Sequence, residues 1–120
     1  MKKEVVVLDA DEQQRQNICS LLADHNYSTI PIATLSKMDR YLAETDCQAV
    51  VLNLDNIAIT NKIVREFKRK KPFVNIIALS ERQFHPELEE ALREHISVCL
   101  AKPIETDELI YWLKTIFNNA

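Results

Sequence analysis

The sequence predicts an α/β protein built on one parallel sheet, and two observations predict this class. Short apolar runs recur along the chain, and each run is followed by a segment whose apolar residues repeat at helical spacing, which is the pattern of β-α units. Most of these runs stop at a polar side chain, as the strands of an open α/β sheet do at their carboxyl edge. The length of 120 residues suits one domain with one core, spanning residues 1–120.

The pattern divides the chain into alternating strands and helices without long linkers or repeats. In chain order the predicted segments are a strand from Glu4, a helix from Asp11 to about Asn26, a strand at Tyr27–Ala33, a helix from Leu35 to near Thr45, a strand at 48–54, a helix from Ile59 to about Lys71, a strand at 74–79, a helix from Pro86, a strand at 97–101 and a helix from Thr106 or Asp107.

Caps and apolar spacing justify the elements of the first half. Asp11 is a preferred helix cap, and Pro31 is tolerated in a strand only at a sheet edge. Leu35, Met38 and Leu42 give the second helix its apolar side. One side of the first helix carries Gln14, Ile18, Leu21 and Leu22.

Proline positions justify the elements of the second half. Ile59, Ile63 and Phe67 recur every four residues and mark the third helix, which Pro72 stops. Pro86 suits the first turn of the fourth helix. The expected core positions are Leu88, Ala91 and Leu92 in the fourth helix, whose core side could also include His95, and Leu109, Ile110, Leu113, Ile116 and Phe117 in the fifth.

The composition argues against several classes of function. The chain has no glycine, which phosphate-cradling loops need for close backbone approach, so a P-loop or a dinucleotide site is not expected. The net charge of −3 argues against direct nucleic-acid binding, and no apolar run approaches the roughly 20 residues of a membrane span. The N-terminus leads directly into a strand without a signal peptide, and three widely spaced cysteines fit neither a disulfide framework nor a zinc site, so a cytoplasmic location is the expectation.

Two groups of charged or polar residues have ordinary interpretations. The basic run Arg65–Lys71 could contact nucleic acid or an acidic partner, but cations also suit the C-terminal end of a helix, and the solvated helix end is the favoured interpretation. His25, His85 and His95 lack metal-ligand spacing and are expected at the surface or at helix ends.

Polar side chains at the ends of four predicted strands form the candidate site. Asp9 and Asp11 follow the first strand, Asn53 ends the third, Ser80 follows the fourth and Lys102 follows the fifth. Because the carboxyl ends of parallel strands meet at one edge of a sheet, we expect these side chains to converge there.

These residues and the order of the elements resemble the receiver domain of two-component response regulators, over essentially the whole chain. The resemblance implies a flavodoxin-like (βα)5 fold with five helices around strands ordered 2-1-3-4-5. It also implies a phosphorylation site. An acidic pair after the first strand holds Mg²⁺, an aspartate at the position of Asn53 accepts the phosphoryl group, and the groups at Ser80 and Lys102 contact the phosphoryl oxygens. Lys102-Pro103 is the most specific motif retained, and the family has a cis peptide bond there.

The chain departs from that pattern at three positions. Asn53 is an amide, which lacks a nucleophilic oxygen comparable to that of a carboxylate; its ordinary interpretation is a turn residue at a strand end. Ala10 stands where the family has a direct metal ligand. Glu81 adds bulk and negative charge where the family has a small residue.

The same departures weaken the predicted metal site. Asp9, Asp11 and Asp55 remain as candidate ligands, and Asp11 fits a helix cap better. Because Mg²⁺ relies on carboxylates, we expect weak Mg²⁺ binding or none, and no other cofactor. Lys102 is then expected to pair with Asp9, Glu81 or the amide oxygen of Asn53.

The resemblance also implies an interaction face formed by the fourth helix, the fifth strand and the fifth helix. Tyr111 is predicted to point away from the core. Trp112 is predicted at the core border, where it either joins an interface or packs over a neighbouring helix. Cys99 stands where the family commonly has an aromatic switch residue, and a buried structural cysteine is the expected case.

Together these features predict a receiver-like signalling module, not an enzyme, that is not phosphorylated at the usual position and acts through protein–protein interaction. The implied partners are a histidine kinase, an output domain, another receiver or a second copy of the chain, without contact to nucleic acid or membrane. Two alternatives stay open. One is a phospho-receiver that uses Asp55 or Asp9 with Mg²⁺, although a displacement of two strand residues moves Asp55 by about 6–7 Å. The other is a small enzyme on a flavodoxin-like sheet, against which the missing glycines argue.

Overall fold

The computed structural model describes residues 3–118, and over that range a five-stranded parallel sheet carries helices on both faces. The strands are β1 (Glu4–Leu8), β2 (Ser28–Ile32), β3 (Ala49–Asn53), β4 (Asn75–Ser80) and β5 (Val98–Ala101). The helices are α1 (Glu12–Asp24), α2 (Leu35–Ala43), α3 (Asn61–Lys70), α4, made of a 3₁₀ turn (Pro86–Leu88) and a π turn (Ala91–His95), and α5 (Thr106–Asn118). The sheet order β2-β1-β3-β4-β5 confirms the predicted fold class.

The sheet register brings the polar strand ends together. Leu8 pairs with Leu52, Asn53 with Leu79, and Ser80 with Ala101. The residues that end or follow β1, β3, β4 and β5 therefore lie side by side at the carboxyl edge, as the apolar runs predicted. Pro31 lies in the edge strand β2 and is exposed, also as predicted.

The core has two parts, one on each face of the sheet, because successive strand residues point to opposite faces. Apolar residues of α2, α3 and α4 cover one face, where Val6, Val50 and Ile76 contribute from the strands. Apolar residues of α1 and α5 cover the other face, with Val5 and Val51. The predicted inner side of α5 is confirmed at Leu109, Ile110, Leu113 and Ile116, while Phe117 is only partly buried.

Asn26 ends α1 in the left-handed region that glycine usually occupies, with φ at 68°. The N–H of Tyr27 donates to the carbonyl of Leu22, and the N–H of Asn26 donates to the carbonyl of Ala23, which is the Schellman pattern of a helix end. In a chain without glycine, asparagine is the residue that tolerates this conformation best.

The predicted fourth helix is present but irregular, and a side chain of α3 explains why. The N–H of Ala91 donates to Oδ1 of Asn61, a side chain of α3, at 2.9 Å. The N–H of Ile96 then reaches back five residues to the carbonyl of Ala91 at 2.7 Å. A side chain that inserts into the hydrogen-bond ladder breaks the regular α spacing.

The structure corrects the predicted inner side of α3 and locates two of the histidines. Val64 and Phe67 are the buried residues of α3, whereas Ile63 is only half-buried, so the inner side is rotated from the predicted one. His85, predicted at the surface or at a helix end, is the N-cap residue of the 3₁₀ turn of α4; it is buried at 8% exposure, and the Nε2–H of its ring donates to the carbonyl of Arg82. His95 is half-buried beside Glu90.

Candidate functional site

The carboxyl edge of the sheet brings four of the predicted site residues together: Asp9, Asn53, Ser80 and Lys102. Asp9, Asn53 and Ser80 are each at most 1% exposed, and Lys102 is half-buried. Asp11 lies apart as the N-cap of α1, because its Oδ2 accepts the N–H of Gln14 at 2.8 Å, which confirms the cap interpretation.

The side-chain amide of Asn53 uses its full hydrogen-bonding capacity. Its Nδ2 donates to Oδ2 of Asp9 at 3.1 Å and to Oε1 of Gln14 at 2.7 Å. Its Oδ1 accepts from Nζ of Lys102 at 2.8 Å and from the N–H of Asp55 at 2.9 Å. A primary amide has two N–H donors and one oxygen that can accept two hydrogen bonds, and all four hydrogen bonds are formed here.

The neighbours of Asn53 fix which way its amide points. The Asp9 carboxylate lies on the Nδ2 side and can only accept, whereas the Lys102 ammonium and the backbone N–H of Asp55 lie on the Oδ1 side and can only donate. Rotating the amide by half a turn would place acceptor against acceptor and donor against donor. The pocket therefore matches an amide at position 53 and not a carboxylate.

Asp9 is enclosed by N–H groups. Besides Nδ2 of Asn53, its carboxylate accepts from Nδ2 of Asn56 at 2.7 Å and from the N–H of Asp11 at 2.9 Å. Oδ1 of Asn56 in turn accepts the N–H of Ala10 at 3.0 Å, which holds the loop after β3 against the loop after β1. No buried side-chain nitrogen or oxygen within residues 3–118 lacks a hydrogen-bond partner.

These contacts do not fit a divalent metal ion. A hard cation needs oxygen atoms turned towards it, but Asp9 faces three N–H donors and Asn53 presents its Nδ2 to that side. Position 10 is alanine, and Asp11 is used as a cap. Across the described part of the chain, no group of three or more His, Cys, Asp or Glu side chains is placed to hold a metal.

Asp55 joins the site, although it lies two residues beyond the end of β3. Its Oδ2 is 2.7 Å from Nζ of Lys102, and its carboxylate accepts from the N–H of Glu81 at 3.1 Å and from Oγ of Ser80 at 3.4 Å. The predicted distance of about 6–7 Å assumed a continuing strand. The chain turns instead, because Oδ1 of Asn53 accepts the N–H of Asp55.

The protonation of Asp55 reflects these neighbours. Burial raises the pKa of its carboxyl group, but the hydrogen bonds from Lys102 and from the N–H of Glu81, with the Lys102 charge, outweigh burial and lower the pKa below its ordinary value of 3.8. The carboxylate is therefore ionised at neutral pH and forms an ion pair with Lys102, whose side chain is only 9% exposed.

Some of the predicted contacts of Lys102 are present in the structure and others are not. Lys102 binds the amide oxygen of Asn53, as one of three stated options, and the Lys102-Pro103 peptide bond is cis. Among the ion pairs of residues 3–118, Lys102 is joined to Asp55, and neither Asp9 nor Glu81 is its partner. The side chain of Glu81 is exposed, and the residue contributes its backbone N–H to the site.

The predicted interaction face carries exposed aromatic side chains. Tyr111 is 62% exposed, and Trp112 packs edge-on against it while also contacting the α1–α5 core. Phe84, in the loop before α4, is 80% exposed and was not anticipated. Cys99 is exposed, so the expectation of a buried thiol is wrong: Leu100 fills the core side of the edge strand β5, and Cys99 points to the other side.

Two of the basic side chains in the run of α3 form contacts within the chain. Lys68 is half-buried and its Nζ donates to the carbonyls of Val74 at 2.6 Å and Pro72 at 3.2 Å; burial lowers the pKa of its amine. Arg65 forms an ion pair with Glu90 of α4 at 2.6 Å. The helix-end interpretation of this run agrees with these contacts.

The sequence did not predict the site contacts of three residues. Gln14 was predicted on the apolar side of α1. A polar residue on that inward side was the feature that could have indicated its contact with Asn53. Asn56 carried no signal, since a loop asparagine is common. Asp55 was recognised as close in sequence, but its pairing depends on the turn after β3.

Comparison with solved structures finds the same fold in proteins of distant sequence. The signal receiver domain of an HD domain-containing protein from Pseudomonas fluorescens Pf-5 superposes with a TM-score of 0.86 at 18% identity, covering 99% of this chain and 97% of that one. A CheY-like response regulator receiver domain protein from Methanospirillum hungatei JF-1 gives 0.84 at 11% identity, covering 100% of both chains. The receiver domain of sensor histidine kinase PA1611 from Pseudomonas aeruginosa PAO1, whose active-site cleft coordinates a magnesium ion, gives 0.83 at 19% identity, covering 98% of this chain and 99% of that one.

The chain therefore has the fold of response regulator receiver domains. At identities this low the likeness shows the fold alone. No protein-family model matches the sequence, and no curated protein matches it significantly. Within residues 3–118, no helix is both long and apolar enough to cross a membrane.

Proposed function

We propose that the chain is a receiver-type signalling module that does not accept a phosphoryl group at Asn53 and acts by binding another protein. The observation that carries the proposal is the saturated amide of Asn53. In a phospho-accepting site this position needs a free carboxylate oxygen that attacks phosphorus. Here both sides of the amide are engaged, and Lys102, the cation that would stabilise the transferred group, is already paired with Asp55.

Asp55 is a poor substitute acceptor for a specific reason. An acceptor carboxylate must leave an oxygen free while separate groups stabilise the incoming phosphoryl oxygens. The groups available for that stabilisation are Lys102, the hydroxyl of Ser80 and the N–H of Glu81, and all three bind Asp55 itself. The same carboxylate cannot be both their ligand and the attacking group.

Covalent labelling tests the loss of phosphorylation. The chain is incubated with a small-molecule phosphodonor and Mg²⁺, beside its Asn53→Asp variant and beside a receiver that retains its acceptor aspartate, and intact mass is measured. The expected result is no phosphoryl adduct on the native chain while the control receiver is labelled. An adduct on the native chain would overturn the proposal, and peptide mapping would show whether Asp55 carries it.

The proposed binding surface is the face formed by α4, β5 and α5, and a second copy of the chain is the simplest partner to test. Tyr111 of α5 exposes a large aromatic surface there, Phe84 exposes another in the loop that leads into α4, and exposed aromatics are enriched at protein interfaces. Other partners in this proposal are a histidine kinase, an output domain or another receiver.

Sedimentation equilibrium of the native chain and of Tyr111→Glu tests this surface. The expected result is concentration-dependent association that the substitution weakens, with unchanged unfolding because Tyr111 is exposed. Ser36→Glu, which adds the same charge at an exposed position of α2 on the sheet face opposite α5, is the matched control. A monomer at all concentrations would exclude the homodimer, and equal weakening by both substitutions would contradict the assignment to this face.

A further inference from the structure

Lys102 and two neighbouring hydrogen-bond donors form an anion pocket, and a carboxylate of the chain itself occupies it. The ammonium of Lys102, the hydroxyl of Ser80 and the backbone N–H of Glu81 come from the ends of two adjacent strands and point to one place. The Asp55 carboxylate lies there, 2.7, 3.4 and 3.1 Å from these donors.

The chemistry of the pocket selects an oxyanion. One full positive charge and two neutral donors converge, and charge-assisted hydrogen bonds of this kind favour a negatively charged oxygen. The pocket contacts both carboxylate oxygens of Asp55, since the N–H of Glu81 lies 3.3 Å from Oδ1 and 3.1 Å from Oδ2. A tetrahedral oxyanion presents the same type of acceptor atoms as a carboxylate, with one or two more of them.

The position of Asp55 is determined locally, so the carboxylate is held in the pocket. The N–H of Asp55 is bound to Oδ1 of Asn53, which fixes the start of its side chain. The same Oδ1 also binds Nζ of Lys102 at 2.8 Å, so the amide oxygen of Asn53 and the Asp55 carboxylate share one ammonium group. An aspartate at position 53 would compete with Asp55 for that ammonium, whereas a neutral amide does not.

We propose that Asp55 is a built-in ligand of this pocket, whose carboxylate takes the place of a phosphoryl oxyanion and keeps the loop between β4 and α4 in an anion-bound arrangement. The inference rests on the proposed function in that no phosphoryl group is attached at Asn53. The inference adds that the pocket is occupied by a group of the chain itself. The module is therefore held in one conformation and is not switched by phosphorylation.

The loop after β4 transmits the occupancy of the pocket. Ser80 and Glu81 bind Asp55, and Oγ of Ser80 also accepts the N–H of Arg82 at 2.9 Å. The next residues lead through the exposed Phe84 into α4, one of the elements of the proposed face. The carboxylate therefore holds the first residues of the segment that ends in the proposed binding surface.

Removing the built-in ligand should create a site for a free oxyanion. Lys102 and Glu81 line a cleft of about 560 Å³ between α1 and the loop after β5, so a small ion has a path to the pocket. Inorganic phosphate is the probe, added without Mg²⁺ and without a phosphodonor. Thermal unfolding is measured for the native chain, for Asp55→Ala and for Asp46→Ala, which removes the same charge from an exposed loop position.

The expected result is a stabilisation specific to the variant with the emptied pocket. Phosphate stabilises all proteins weakly by exclusion from their surface, so the measured quantity is the excess over the native chain. At a phosphate concentration ten-fold above the dissociation constant, the excess in the Tm of Asp55→Ala should be about 6 °C. The double variant with Lys102→Gln should lose it. Equal phosphate responses in native, Asp55→Ala and Asp46→Ala proteins would overturn the proposal.

A second variant covers the case in which the alanine variant does not fold. Asp55→Asn keeps the size of the side chain and one acceptor oxygen but loses the charge, and it should show the same excess at higher phosphate concentration. Hydrogen exchange gives an independent measurement: the Glu81 amide should exchange at least about ten-fold faster in Asp55→Ala than in Asp46→Ala, the factor expected for one hydrogen bond to a charged group. An unchanged rate would contradict the built-in ligand.

These measurements are separate from the labelling test. Phosphate binds here without a covalent step, so a missing excess would remove the built-in ligand and leave the absence of a phosphoryl adduct untouched. A phosphoryl adduct on the native chain would instead refute the proposed function, whatever the phosphate response of the variants.

Discussion

Replacing Asn53 by aspartate is the sharpest perturbation of the site. The change removes the two N–H donors that bind Asp9 at 3.1 Å and Gln14 at 2.7 Å and puts an oxygen in their place. The bonds that Lys102 and the N–H of Asp55 make to the other oxygen survive. Two carboxylates then face each other in a pocket where the native side chain is 1% exposed.

The size of the effect follows from these distances. Two lost hydrogen bonds cost about 1 kcal/mol each, although Gln14 recovers part of this if its amide rotates. At an effective dielectric constant of about 20, a unit charge 3.1 Å from Asp9 is repelled by about 5 kcal/mol, and attraction to Lys102 at 2.8 Å returns about the same amount. Asp55 adds repulsion because it shares the ammonium. We expect the free energy of unfolding to fall by about 2–3 kcal/mol at pH 7.5 without divalent cations.

Urea unfolding, followed by the fluorescence of the single tryptophan Trp112, measures this change. In the folded state the attraction to Lys102 offsets the repulsion by Asp9, and burial with the second like charge of Asp55 then raises the pKa of the introduced carboxyl group, so the folded state binds more protons. The deficit should therefore shrink as the pH is lowered from about 7.5 towards about 5.5. Gln16→Glu, an amide-to-carboxylate change on the exposed side of α1, is the control. A variant as stable as the native chain at pH 7.5 would refute the role assigned to the Asn53 amide.

Three other changes test the local physics of the fold. Asn26→Ala should lower the free energy of unfolding by about 1 kcal/mol while Asn26→Gly does not, because φ of 68° suits only a few residue types; thermal unfolding of both variants decides. The lowered pKa of Asp55 means that its stabilisation is complete above its ordinary pKa of 3.8 and is lost as the pH falls through the lower folded-state value. The stability gap between the native chain and Asp55→Asn should therefore close only in acid, and a gap that is constant with pH would contradict the ion pair. Leu109→Ala should cost about 3 kcal/mol in urea unfolding, since the leucine is fully buried and leaves a cavity; a cost below about 1 kcal/mol would contradict its placement.

The sequence predicted the sheet and its polar edge because both depend on short-range pattern. Apolar runs that end at Asp9, Asn53, Ser80 and Lys102 are sufficient to place these groups at one edge once the strands are parallel. The boundaries of the strands and of α1 to α3 and α5 lie within two residues of the predicted ones.

The contacts that define the site were less accessible from the sequence. The pairing of Asp55 with Lys102 requires the turn that the Asn53 side chain imposes after β3, and no periodicity reports a turn of that kind. The irregularity of α4 has a similar origin, because Asn61 acts from another helix, 30 positions away in the chain. His85 looked like a loop residue, and its burial results from how the loop packs.

The irregular hydrogen bonding of α4 also couples its motion to that of α3. An amide of α4 finds its acceptor in Asn61 of α3, and Glu90 of α4 is held by Arg65 of α3. Opening one helix therefore removes bonds from the other, which is the condition for a shared cooperative unit in hydrogen exchange. Because the two helices open together in the native chain, we expect Asn61→Ala to speed hydrogen exchange both throughout residues 86–96 and in α3.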